Sequence, residues 1–168
     1  AIRLGDPMYT SAKIKTGYQV GELIEGIPAV GGSSPNSLVC NDKYLFVSNG
    51  NNDIISVIDL ASDEIVHEIT LELDERFRRL RGVIPFGLAI SPDNKRLYVA
   101  ESGINAVAVI DAYSFKVLGH IPVGWFPSKL EVTPDGSRLV VANAKGYGSG
   151  PNGGSEFHEG PEGWYIGN

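Results

Sequence analysis

Ile84-Pro85-Phe86-Gly87-Leu88-Ala89-Ile90-Ser91-Pro92-Asp93-Asn94-Lys95-Arg96-Leu97-Tyr98-Val99-Ala100-Glu101 holds two short apolar-rich runs joined by a Pro-Asp-Asn turn. Pro presets φ, while Asp and Asn hydrogen-bond their own backbone and tolerate tight geometry, so the turn is local chemistry. The runs are strand-length and contain the β-branched and aromatic residues that suit a pleated sheet. A third run, Val107-Ala108-Val109-Ile110-Asp111, follows. The same order recurs upstream as Ser34-Pro35-Asn36-Ser37-Leu38, Tyr44-Leu45-Phe46-Val47-Ser48-Asn49 and Ile55-Ser56-Val57-Ile58-Asp59. Downstream it recurs as Phe126-Pro127-Ser128-Lys129-Leu130 and Arg138-Leu139-Val140-Val141-Ala142-Asn143, without its last part.

From Val47 to Val99 is 52 residues and from Val99 to Val141 is 42, the longer step carrying an insertion at Leu73 to Arg81. Each repeat reads strand, turn, strand, turn, and only Leu73 to Leu80 offers one or two turns of helical period. Four strands in about 42 residues are the mark of a β-propeller blade. The expected fold is all-β, a partial propeller with about three to four blades of four antiparallel strands visible, from a seven-bladed ring. The expected divisions are a leading segment at 1–33 (outer strands of a preceding blade), a blade at 34–72, the insertion at 73–83, a blade at 84–124, and an incomplete blade with a long Gly-rich loop at 125–168.

The composition agrees and narrows the partners. The chain has 168 residues, 42% hydrophobic and 20% charged, enough apolar content for a core and not the profile of a disordered chain. Its net charge of −6 argues against nucleic-acid binding, which needs a basic footprint. No apolar run is long enough for a membrane helix, and no leader-like pattern opens the chain. One cysteine, Cys40, excludes an internal disulfide and a Cys-based zinc site; a buried inert thiol is its default reading. The start at Ala1 instead of Met reads as a processed or trimmed product. A closed propeller needs roughly 4–8 blades. The expectation is therefore a fragment completed by the remaining blades and a C-terminal domain of the same protein, or by other copies.

Phe46-Val47-Ser48-Asn49, Tyr98-Val99-Ala100-Glu101 and Val140-Val141-Ala142-Asn143 resemble the core motif of YVTN-type propeller repeats. The phrases 29–38 (AVGGSSPNSL), 84–93 (IPFGLAISPD), 121–130 (IPVGWFPSKL) and 142–154 (ANAKGYGSGPNGG) narrow the likeness. They are similar to bacterial exported proteins in which such a propeller precedes an alkaline-phosphatase-superfamily phosphoesterase domain. Tyr165-Ile166-Gly167-Asn168 stands where those relatives carry a YIG phrase ahead of their next strand. The resemblance implies a periplasmic or cell-surface location and a hydrolase domain that lies outside this sequence, so no catalytic residue is carried over.

In a propeller the loops entering the inner strands and those joining second to third strands emerge on one face. That face is the candidate site, because insertions and ligand loops gather on one side of repeat proteins. It collects Asn36, Ser37, Phe86, Ser128 and Lys129 from the inner-strand entries, and Asn49, Glu101 and Lys145 from the other loops. The insertion adds Arg76 and Arg79, beside Arg78, Arg81, Glu72, Asp74 and Glu75. Guanidinium forks suit a small-molecule or anionic ligand; alternatively the insertion is a solvated stretch whose opposite charges satisfy one another, or a contact to a neighbouring domain.

Several motifs carry less than their letters promise. Gly148-Ser149-Gly150-Pro151-Asn152-Gly153 spells G-x-G-x-x-G but lacks the βαβ unit and helix of a dinucleotide site. Asn49-Gly50-Asn51-Asn52-Asp53 is oxygen-rich without EF-hand spacing and reads as a β-turn. His67 aligns beside His120, not with it, and His158 lies among glutamates, so each reads as structural or solvent-facing. Asp59 and Asp111 end equivalent strands, where turn-capping is the expectation. No metal site and no cofactor is identifiable.

The functional expectation is a propeller binding or scaffold module of an exported protein, beside a phosphoesterase domain, with the segment not catalytic by itself. The alternatives are a propeller-based enzyme of lactonase-like type and a self-assembling surface protein.

Overall fold

The computed structural model describes residues 2–3, 9–10, 12–24, 26–29, 31–77 and 80–146. The chain divides into two compact units, Ala1–Pro85 and Phe86–Asn168. The first contains two small antiparallel pairs, β1 (Ile2–Arg3) with β2 (Tyr9–Thr10) and β3 (Leu23–Ile24) with β4 (Ile27–Pro28). A four-stranded antiparallel sheet follows, ordered β5 (Pro35–Cys40), β6 (Tyr44–Asn49), β7 (Ile54–Asp59) and β8 (Glu64–Thr70). The insertion forms one 3-10 turn, Glu75–Phe77. The second sheet repeats the first, with β9 (Pro85–Ile90), β10 (Arg96–Glu101), β11 (Ala106–Asp111) and β12 (Val117–Pro122), and β13 (Pro127–Val132) with β14 (Leu139–Asn143) begins a third.

Asn41, Ser91 and Thr133 occupy the same place between first and second strands and solve the same problem. Asn41 Oδ1 accepts from the backbone N–H of Lys43 and Tyr44 at 2.9 and 2.7 Å. Ser91 Oγ accepts from Arg96 N and donates to Asp93; Thr133 Oγ1 does the same with Arg138 N and Asp135. Hydroxyl donors on Asp135 from Thr133 and Ser137 hold its pKa down at about 2. Asp59 and Asp111 turn the chain from third to fourth strand, each accepting two backbone N–H bonds on one oxygen, and those bonds hold both carboxyls below the usual range. The bulges repeat as well, at Val57/Ile58 and Val109/Ile110.

The middle strands β6, β7, β10 and β11 are buried on both faces, which is why they read as nearly continuous apolar runs. Within the second unit, Ala89, Ala100, Val107 and Leu130 form a core cluster joined by Tyr98, Val132, Leu139 and Val141. Gly87 makes the approach of β13 possible, since a Cβ there would lie 2.6 Å from Ser128 O and 2.9 Å from Lys129 Cα.

Leu38, Leu88 and Leu130 are equivalent in the three inner strands but differ in burial. Leu88 is 3% exposed and Leu130 1%, whereas Leu38 is 67% exposed. Leu88→Ala is therefore expected to cost about 2–5 kcal/mol, the usual loss for a buried leucine. Leu38→Ala is expected to cost less than about 0.5 kcal/mol, the ordinary scale for a surface site. Urea unfolding of the two variants reads the difference directly, and equal losses would refute it.

Candidate functional site

Three non-glycine residues precede the prolines that open the inner strands, and all are left-handed: Ser34 (φ 53°), Ile84 (φ 53°) and Phe126 (φ 55°). For a β-branched or bulky residue this conformation is strained and needs support from its surroundings. In the first unit Asp53 gives that support. It is 3% exposed, and its two carboxyl oxygens accept from Gly82 N and Ile84 N, both at 2.8 Å. In the second unit Asn105 does the same work for one donor, its Oδ1 accepting from Phe126 N at 3.0 Å. Ser102 Oγ adds a 2.5 Å bond to Pro127 O. The oxygen-rich turn at Asn49 to Asp53 thus anchors the entry to the next inner strand.

In the second unit this anchoring assembles a defined corner. Trp125 N donates to Gly146 O, Lys145 N to Trp125 O, and Ala144 N to Phe126 O, zipping two loops together. Gly124 permits it, since a Cβ there would meet Gly146 O at 2.5 Å. The Phe126 ring lies 6.2 Å from Phe86, tilted by 59°, and Lys145 Nζ stands 5.6 Å from its centroid. Trp125, next to Phe126 in the chain, is 40% exposed, and Lys129 is also exposed. A cation held over an aromatic surface offers charge and a flat apolar face together.

Asn36 is exposed in the first unit, and its Nδ2 donates to Pro85 O at 3.3 Å. Ser37 is half-buried, its N–H donating to Ser48 Oγ. Ser128 Oγ donates to Ala142 O. Arg76 is exposed and grips Asp74 through two bonds, at 2.7 and 3.1 Å; that pairing lowers the Asp74 pKa. Arg79 and the motif at Gly148 to Gly153 lie outside the described residues.

Asn49 and Glu101 are completely buried. Asn49 Nδ2 donates to Ser56 Oγ at 2.9 Å, and a Glu101 carboxyl oxygen lies 2.7 Å from His120 Nδ1. The sequence reading gave no role to Phe126, Trp125 or Asn105, and took Asp53 only as part of a β-turn. Phe126 carried a usable signal, since it aligns with Ser34 and Ile84 ahead of the repeated proline. Cys40, read as buried, is exposed on β5, as is Leu38 on the same face of the strand.

No family model matches the chain. A seven-bladed β-propeller protein of Mycobacterium tuberculosis is 29% identical over 130 residues, covering 75% of this chain and 30% of its own length. Among solved structures, hydrazine synthase of Kuenenia stuttgartiensis aligns with a TM-score of 0.60 at 24% identity, over 76% of this chain and 33% of its own. A virginiamycin B lyase from Staphylococcus aureus aligns with a TM-score of 0.55 at 15% identity, over 71% of this chain and 38% of its own. A candidate 6-phosphogluconolactonase of Bacteroides fragilis aligns with a TM-score of 0.53 at 20% identity, over 83% and 35%. The chain spans about a third of the length of these relatives. The expectation that the segment is not catalytic by itself is overturned by the lyase and lactonase likenesses, in which a fold of this kind belongs to an enzyme. The chain is all-β and has the fold of part of a β-propeller, related to bacterial propeller proteins.

Proposed function

We propose that the chain is part of a propeller-based enzyme of lactonase-like type whose loop face binds a small anionic substrate. The observation that carries this reading is the corner in the second unit, where Lys145 stands over Phe126 and Phe86 backs the ring. A phosphate or carboxylate suits the ammonium, and the ring faces and Trp125 suit the rest of the molecule. The lactonase candidate and the lyase among the structural relatives support an enzymatic reading of the propeller itself. Pairing with a phosphoesterase domain in an exported protein rests on the sequence phrases at 84–93 and 121–130 and is compatible with the same face.

The test is titration of the 168-residue chain with 6-phosphogluconate and, separately, with inorganic phosphate, followed by tryptophan fluorescence. Binding of 6-phosphogluconate is expected, weakened about tenfold in Lys145→Ala, the loss of one charge-assisted contact of about 1.5 kcal/mol. Absence of binding, or binding indifferent to Lys145, would sink this assignment.

A further inference from the structure

The turn that follows β6 joins three distant segments of the first unit. Tyr18 N donates to Asn52 Oδ1 at 2.8 Å, Asn51 Nδ2 to Gly32 O at 3.0 Å and Gly50 N to Ser34 O at 2.9 Å, while Asp53 holds Gly82 and Ile84. Two asparagines of this turn, Asn49 and Asn52, have no exposed surface. Backbone partners fix which way each amide points. Val47 O can only accept, so the Asn49 atom 3.4 Å from it is the nitrogen; Tyr18 N–H can only donate, so the Asn52 atom it meets is the oxygen. One atom of each amide is left over. Asn49 Oδ1, an acceptor, and Asn52 Nδ2, a donor, are both buried with no hydrogen-bond partner among the described residues. Leaving such groups unsatisfied is costly, so each calls for a partner.

The two amides close on one point. A Cβ on Gly17 (φ 62°) would stand 2.5 Å from Asn52 Oδ1 and 3.1 Å from Asn49 Cγ. Ser33, 6% exposed, brings a hydroxyl to the same cluster, its Cβ lying 2.7 Å from that point. A bound cation would call for acceptors alone and a bound anion for donors alone. A leftover donor beside a leftover acceptor suits a molecule that does both, and buried waters make about three hydrogen bonds to groups of this kind. The second unit repeats part of the arrangement. Asn143 ends β14 as Asn49 ends β6, its Oδ1 is also buried without a partner among the described residues, and Gly124 packs on its amide. We propose that one internal water bridges Asn52 and Asn49, accepting from Asn52 Nδ2 and donating to Asn49 Oδ1, with the Ser33 hydroxyl as its third partner. The water holds the Asn52 amide in the orientation that keeps Oδ1 on Tyr18 N, and so fastens the Gly17–Tyr18 segment to the first sheet.

Nuclear magnetic resonance of the isotope-labelled 168-residue chain tests this by reading magnetisation transfer between water and the Asn52 Nδ2 protons. Cross-peaks of opposite sign in laboratory-frame and rotating-frame experiments are expected, the signature of a held water; simple proton exchange with solvent gives the same sign in both. Asn49→Leu removes the acceptor. In that variant the cross-peaks should vanish and the Tyr18 amide should exchange with solvent about tenfold faster, the effect of weakening one hydrogen bond. Should the variant not fold, the spectrum of the unaltered chain decides alone. Absence of water cross-peaks at Asn52 in the unaltered chain, or peaks of exchange sign only, would overturn the proposal. Cross-peaks that persist unchanged in a folded Asn49→Leu chain would overturn it equally, because the water would then not rest on Asn49.

Discussion

Replacing His120 with alanine is expected to lower the stability of the chain by about 3–5 kcal/mol, the cost of removing one partner from a buried polar pair. Glu101 ends β10 with no exposed surface, and the His120 side chain is 14% exposed. The two meet across β11, where Ala108 stands opposite both Val99 and His120 in the strand registers. Glu101 lies two residues from Val99 and therefore on the same face, and the methyl group of Ala108 leaves room for the imidazole. Without the ring, a carboxyl group remains in a site that water does not reach, and this deficit outweighs the loss of one hydrogen bond. A domain of this size has about 5–15 kcal/mol in total, so the variant would lie close to unfolding. With a urea slope of about 1–3 kcal/mol per molar, the midpoint should fall by about 2 M. Glu101→Leu combined with His120→Leu should lie much nearer the parent, because the buried carboxyl group is then removed together with the ring that faces it. A loss below about 1 kcal/mol for His120→Ala would show that the pair is not a stabilising lock.

The second large effect is expected at Asp53. Asp53→Ala removes two hydrogen bonds to a carboxyl group, each worth about 1.5–3 kcal/mol, and strands the N–H groups of Gly82 and Ile84. It also places alanine at φ 55°, where a side chain without a local hydrogen bond is disfavoured. The summed loss should be about 3 kcal/mol or more. Asp53→Asn keeps the left-handed preference and one acceptor, so it should fall between the two, as Asn105 manages with one acceptor at the matching turn. Amide hydrogen exchange separates this mechanism from general destabilisation. In Asp53→Ala, Gly82 and Ile84 should exchange far faster than Phe46 and Val57 in the neighbouring strands. Uniform acceleration across the first sheet would contradict a local clamp.

Legibility in the sequence followed the range of the interaction. The turns at Asn41, Ser91 and Thr133, and those at Asp59 and Asp111, use bonds spanning two to five residues, so their residue types announce them. The strands between announce themselves through short apolar runs in a repeated order. The candidate face was only partly legible. Phe86 and Lys145 are drawn together by Phe126, whose place ahead of the repeated proline marks its backbone but not the neighbours of its ring. Glu101 looked like a loop-end carboxylate available to a ligand, and its actual neighbour is 19 residues away on the outermost strand.

The sequence by itself determined the all-β repeat, the place of each turn and the position of the insertion, because propensity, turn chemistry and period are properties of neighbouring residues. Only the tertiary structure decided which of three equivalent leucines is exposed, that Asp53 and Asn105 hold strained residues on a later segment, and that Glu101 is closed off by His120. Each of those depends on what covers a sheet face or crosses it from a distant strand, and burial of that kind has no signature in the residues that experience it.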